Sequence, residues 1–117
     1  MARHGLVHGP LGRDCVHLCV DMQGIFLPGS PWATPWMEKV LPAVEEIAGS
    51  HAPRTVFTRF IPARNPEAAP GSWGRYYRKW EMLTLERVEA SAVDLVPSLA
   101  RRVPPAGVID KTVYSPW

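Results

Sequence analysis

The sequence of 117 residues has no apolar run that approaches the ~20 residues a membrane-spanning helix needs. Residues 1–14 contain no apolar stretch of the length found in signal peptides. The net charge is only +2, and the longest basic run is the pair Arg101-Arg102, so nothing indicates a nucleic-acid partner. No internal repeat is visible. These absences predict a cytoplasmic protein with neither a membrane nor a nucleic acid as its partner.

Cysteine is also scarce, with two residues, Cys15 and Cys19, four positions apart. In a strand that spacing separates them by roughly 13 Å, which is too far for a disulfide bond. His17 lies between them, but no second Cys/His cluster accompanies the pair, and the pattern is too weak to predict a metal site. We interpret both cysteines as reduced, structural thiols and expect no metal and no cofactor.

Proline and glycine are abundant, with 13 and 9 residues, but they are spread along the chain and mark loops rather than disorder. The composition, 46% hydrophobic and 21% charged, is that of a globular protein. The length suits one domain with a modest core. We assign residues 15–117 to that domain and residues 1–14 to a poorly ordered leader.

Three short apolar runs predict strands, at residues 15–20, 54–60 and 107–110. The first, CVHLCV, is typical of a strand buried on both faces, as in a parallel sheet. The order of the predicted elements is strand, helix, strand, long loop, helix, strand. That order predicts an α/β fold with a three-stranded parallel sheet, right-handed crossovers and a site at the carboxyl ends of the strands.

Two helices are predicted between the strands. Thr34 and Pro35 suit the cap and first position of an amphipathic helix that ends near residues 49–50, and Pro42 should kink or restart it. The second helix is predicted from Ser91 to about Arg102.

A long loop at residues 61–74 precedes the aromatic, basic segment RYYRKWEML. Loops of this length inside a compact domain are usually functional or disordered. The aromatic side chains in or after the loop, among them Trp80, can pack the segment onto the body or line a pocket. Packing is the favoured interpretation, and a substrate contact of Trp80 is the alternative.

Two opposite charges stand at matching strand ends: Asp21 follows the first strand and Lys111 ends the third. With the second strand between them, their backbones are roughly 10 Å apart, a gap that a lysine side chain largely spans. An ion pair or a shared substrate contact is therefore feasible. The alternative is that each residue merely caps a strand and faces water, and the matching positions make the two interpretations about equally probable.

The motifs VHLCVDMQGIF, TVFTRF and DKTVYSPW, in this order and separation, resemble those of the isochorismatase-like cysteine hydrolases. That superfamily includes nicotinamidases and N-carbamoylsarcosine amidases, and the resemblance covers residues 15–117. It implies a Rossmann-like three-layer domain. It also implies that Asp21 is the general base, that Lys111 holds this aspartate and stabilises negative charge, and that Phe26 lines the substrate pocket.

The resemblance also implies parts that this sequence lacks. The family's nucleophilic cysteine follows a fourth strand, whereas this sequence ends at Trp117, so we expect a C-terminally truncated hydrolase that is inactive alone. The loop after strand two lacks the histidines of nicotinamidases, which favours the metal-free branch. The expected partner is a small amide, carbamoyl or vinyl-ether substrate, and family members usually form homo-oligomers.

Two other functions remain open. A non-catalytic fragment or assembly module would use the open edge of the sheet to pair with another chain. An aspartate-nucleophile phosphatase also has an aspartate after strand one and a lysine downstream. That chemistry needs a second aspartate at position 23, where this sequence has Gln23.

Overall fold

A three-stranded parallel sheet organises the part of the chain that the structure, a computed structural model, describes, residues 5–116. Its strands are β1 His17–Val20, β2 Thr55–Phe60 and β3 Gly107–Lys111, in the order β1-β2-β3. The sequence-based prediction of an α/β fold with this sheet is confirmed. Because parallel strands end at a common edge, the residues that follow β1 and β3 meet there.

The long helix α1, Pro35–Ser50, begins where the sequence predicts. The Thr34 hydroxyl accepts a hydrogen bond from the backbone N–H of Trp36, and Pro35 occupies the first helical position. The expected restart at Pro42 does not occur, since α1 is a single helix that contains this residue. A proline removes one backbone hydrogen bond, and the buried Met37 and Ala48 anchor the helix on either side of it.

The prediction that β1 is buried on both faces is wrong. Cys19 is only 4% exposed, whereas Leu18 and Val20 are 43% and 54% exposed. Successive side chains of a strand point to opposite faces. Cys19 lies on the face where Phe57 and Leu99 also belong to the hydrophobic core. Leu18 and Val20 lie on the opposite face of the strand, where both are largely exposed.

The predicted helix from Ser91 to Arg102 is also wrong, because the structure divides it into α3, Ala90–Val93, and α4, Pro97–Ala100. Between them Leu95 forms an antiparallel bridge with Gln23, and the Val96 N–H donates to the Met22 carbonyl at 2.9 Å. Pro97 disfavours helical geometry in the residue before it. The local proline and the tertiary hydrogen bonds together end α3.

The segment between β2 and α3 is packed rather than open. It contains two short 3₁₀ turns, Pro66–Ala68 and Glu81–Leu83, and a helix, α2, Trp73–Lys79. The Asn65 side chain accepts from the Ala68 N–H at 2.8 Å and so caps the first turn. Tyr77 of α2 is 2% exposed, so the aromatic segment packs onto the body.

The predicted leader, residues 1–14, is described from residue 5 onward. All side chains of residues 5–16 are exposed. Residues 1–4 and Trp117 lie outside the described range. No helix in the described part of the chain is long and apolar enough to cross a membrane.

Candidate active site

Asp21 directly follows β1 and has a backbone conformation that most residues avoid. Its φ is 56°, in the left-handed region that aspartate tolerates better than bulky or β-branched residues. The Asp21 N–H donates to the carbonyl oxygen of Thr58 at 3.1 Å, and the hydroxyl of the same residue lies at 3.2 Å. These contacts to β2 hold the residue at the edge of the sheet where β1 ends.

Asp21 and Lys111 form the ion pair that the strand spacing allows. The distance from Lys111 Nζ to Asp21 Oδ2 is 3.0 Å, and the two side chains are 6% and 23% exposed. Lys111 Nζ also donates to the backbone carbonyl of Tyr114 at 2.6 Å. A buried ammonium needs such partners, because its removal from water is costly. Removing Asp21 would therefore leave a buried positive charge without its counterion.

The second carboxylate oxygen of Asp21 has its own partner, Thr58. The Thr58 hydroxyl donates to Asp21 Oδ1 at 2.7 Å, and Thr58 is 0% exposed. No role was predicted for this residue from the sequence. The signal was present, because Thr58 is the residue of β2 that pairs with Val20, the last residue of β1. A hydroxyl at that position lies beside whatever follows β1.

Gln23 fixes the turn after Asp21 and is likewise 0% exposed. Its side-chain amide donates to the carbonyls of Phe60, at 2.9 Å, and Val93, at 2.6 Å. Its carbonyl oxygen accepts from the Phe60 N–H at 2.7 Å. The side chain therefore joins the ends of β1 and β2 to α3. These three hydrogen bonds all join the side chain to backbone groups, and an amide has no carboxyl to act as a phosphatase acid.

A cavity of about 370 Å³ opens beside the ion pair. Asp21 is its acidic residue, and the rest of its wall is mainly aromatic, formed by Phe26, Trp32, Ala33, Phe60, Tyr76 and Tyr114. Phe26, the predicted pocket residue, therefore lies on the same wall as Asp21. Burial raises the pKa of the Tyr76 phenol, so this hydroxyl stays protonated at neutral pH.

Trp32 is the centre of the aromatic wall, although the sequence analysis did not single it out. Its ring centroid lies 5.9–6.2 Å from those of Phe26, Phe60, Tyr76 and Trp80. Trp80 contacts Trp32 and is not among the residues that line the cavity, and its contact with a substrate stays a prediction.

The two cysteines form no disulfide bond, and neither is among the residues that line the cavity beside Asp21. Cys15 is exposed and precedes β1, at the opposite end of that strand from Asp21. Cys19 is buried, and its pKa is raised to about 11, first by burial and then by the negative charge of Asp21. A thiol with this pKa is protonated at neutral pH and is a poor nucleophile.

Histidine and carboxylate side chains do not assemble into a metal site among residues 5–116. No group of three or more His, Cys, Asp or Glu side chains in this range is placed to hold an ion. The loop after β2, residues 61–72, contains no histidine.

Comparisons with known proteins identify the fold. No protein-family model matches the sequence, and no curated protein matches it. The solved structure of a cysteine hydrolase from Pseudomonas syringae pv. phaseolicola 1448A matches 88% of this chain and 48% of its own, with a TM-score of 0.63 and 19% identity. The pyrazinamidase of Pyrococcus horikoshii, solved in complex with zinc, matches 87% of this chain and 53% of its own, with a TM-score of 0.50 and 22% identity.

Both solved proteins are isochorismatase-like. The chain spans about half the length of each. At these identities the likeness concerns the fold, which is also what the three motifs predict. The chain therefore has the α/β fold of the isochorismatase-like hydrolases.

Proposed function

We propose that this chain carries the base and the lysine of an isochorismatase-like cysteine hydrolase. The observation that supports the proposal best is the Asp21–Lys111 ion pair, 3.0 Å long, at the edge of an aromatic cavity of about 370 Å³. A partly buried, paired carboxylate at the carboxyl ends of parallel strands is a common setting for catalysis. The substrate is a small molecule with an amide, carbamoyl or vinyl-ether group, and no cofactor takes part.

The chemistry proposed for the two residues is what the resemblance to the isochorismatase-like hydrolases implies, and their ion pair is compatible with it. A cysteine thiolate attacks the electrophilic carbon of the substrate, and Asp21 accepts the thiol proton and returns it to the leaving group. Water then releases the covalent intermediate. In this proposal Lys111 holds the carboxylate and stabilises negative charge that develops on the substrate.

The nucleophile of this proposal comes from outside these 117 residues. Cys15 precedes β1, whereas Asp21 follows it, so the four-residue strand separates the thiol from the carboxylate. Cys19 is buried with a pKa of about 11. We place the cysteine either on a continuation of the chain or on a partner chain, and we expect the isolated 117-residue protein to be inactive.

The test is to isolate the native protein from its cell with an antibody against this chain and to determine its mass and composition. The proposal expects a cysteine-bearing species larger than 13.0 kDa that hydrolyses a small amide, carbamoyl or vinyl-ether compound. Asp21→Asn should lower kcat by roughly 10²–10⁴-fold, the usual contribution of a general base. The exposed Asp14→Asn is the control and should leave kcat unchanged. A native species of 13.0 kDa, without a partner chain and without hydrolytic activity, would refute the proposal.

A second candidate is an assembly module, and the uncovered face of β1 favours it. Leu18, Val20 and, on β3, Ile109 are 40–54% exposed, and β1 pairs only with β2 among the described strands. An apolar, unpaired edge strand readily pairs with another chain. Sedimentation of the purified protein tests this alternative. Val20→Lys should abolish self-association if the module forms through β1, whereas Val7→Lys, in the exposed N-terminal segment, should not.

A further inference from the structure

We propose that Thr58 is a positioning residue that fixes the orientation of the Asp21 carboxylate. The inference rests on the proposed role of Asp21 as a general base. Thr58 lies on β2 and is 0% exposed, and its hydroxyl donates to Asp21 Oδ1 at 2.7 Å. Lys111 Nζ lies 3.0 Å from Oδ2. Each oxygen of the carboxylate thus has a different, buried partner, and the plane of the group is set by the two together.

The hydrogen bonds of Thr58 are compatible with one orientation of its hydroxyl. The hydroxyl has a single proton, which the short contact assigns to Asp21 Oδ1. Its oxygen then accepts from the Asp21 N–H at 3.2 Å, and the Thr58 carbonyl accepts from the same N–H at 3.1 Å. Thr58 therefore binds Asp21 at the backbone and at the side chain. This double contact also restrains the left-handed backbone of Asp21, whose φ is 56°.

Packing alone does not require a hydroxyl at this position. A valine has nearly the same shape as threonine and would fill the same space in β2, with no buried hydroxyl to satisfy. Thr55 shows the contrast. It lies three residues earlier on β2 and is 1% exposed, but its hydroxyl donates to the His51 carbonyl at 2.9 Å, at the opposite end of the strand. The Thr58 hydroxyl is bonded to the proposed base itself.

The orientation matters because a general base must point a lone pair at the proton it accepts. Productive geometries tolerate only about 10–20° of misalignment. With Oδ1 bonded to Thr58 and Oδ2 to Lys111, rotation of the carboxylate breaks at least one contact. Thr58 thus acts through Asp21 and has no contact with substrate assigned to it.

The test uses the 117-residue protein and does not depend on activity. Nuclear magnetic resonance measures the two couplings between the α- and β-protons of Asp21, which report its χ1 torsion: they take the values of one staggered rotamer when the side chain is held and rotamer-averaged values when it rotates. We expect single-rotamer couplings in the wild type. Thr58→Val should shift them to averaged values, and Thr58→Ser, which keeps the hydroxyl, should restore the wild-type pattern. Thr55→Val is the matched control, since it removes a buried hydroxyl from the same strand and should leave the Asp21 couplings unchanged.

Several outcomes would overturn the inference. Rotamer-averaged couplings in the wild type, wild-type couplings in Thr58→Val, or averaged couplings in Thr55→Val would each show that Thr58 does not position Asp21. Thr58→Ala, which removes the hydroxyl without placing a methyl group at its position, provides the same comparison should the valine variant not fold. The inactivity of every hydrolase preparation would instead refute the proposed function and leave the couplings as they are.

Discussion

Replacing Gln23 with leucine tests whether a single buried amide holds the candidate site together. The substitution keeps the approximate size of the side chain but removes hydrogen bonds of 2.6, 2.7 and 2.9 Å to the backbones of Phe60 and Val93. Each such bond stabilises a protein by about 1 kcal/mol net. We therefore expect the free energy of unfolding to fall by about 3 kcal/mol. The leucine leaves the backbone groups of Phe60 and Val93 unpaired in a site where Gln23 is 0% exposed.

A loss of this size is large for a domain of 117 residues, whose total stability is about 5–15 kcal/mol. Urea unfolding followed by tryptophan fluorescence measures it directly, and the melting temperature should fall by roughly 10 °C. Glu86→Gln provides a control, because it removes the exposed ion pair with Arg64 and should change the free energy by less than about 0.5 kcal/mol. A loss below about 1 kcal/mol for Gln23→Leu would contradict the reasoning, since it would mean that water satisfies the freed backbone groups.

Two further predictions concern the cysteines and acid stability. Iodoacetamide at pH 7.5, followed by peptide mass spectrometry, should label the exposed Cys15 at least tenfold faster than Cys19, because burial raises the Cys19 pKa to about 11; equal rates would contradict it. The hydrogen bond from Arg59, 2.7 Å long, lowers the pKa of Asp110 below its ordinary value of 3.8. The pair therefore stabilises the fold above pH 3.8, and this contribution disappears as the pH falls through the lowered pKa. Asp110→Asn should lower the free energy of unfolding, measured in urea at pH 6, by up to about 1 kcal/mol, because the pair is partly exposed. The loss should become progressively smaller as the pH falls below 3.8. An equal loss at every pH would count against the assignment.

Local chemistry explains why part of the fold could be predicted. Thr34 and Pro35 start α1 through contacts within a few residues, and the apolar runs of β2 and β3 are short and bounded by turn residues. The predicted helix from Ser91 to Arg102 failed because its periodicity says nothing about Met22 and Gln23, roughly 70 residues earlier, which bind its middle through backbone hydrogen bonds. The burial of β1 was mispredicted because an apolar strand does not reveal which of its faces the rest of the described chain covers.

The sequence by itself determined that Asp21 and Lys111 stand at matching strand ends, because strand period and strand order place them there. It also determined that Phe26 follows closely enough to share their edge, and the motifs indicated the hydrolase fold. Only the tertiary structure decided which side chains complete the site. Thr58 reaches Asp21 across the register of two strands, Gln23 bonds to backbone groups far along the chain, and Trp32 becomes the centre of the wall by contacts with rings from separate segments. Such contacts depend on the packing of distant residues, which no local pattern specifies.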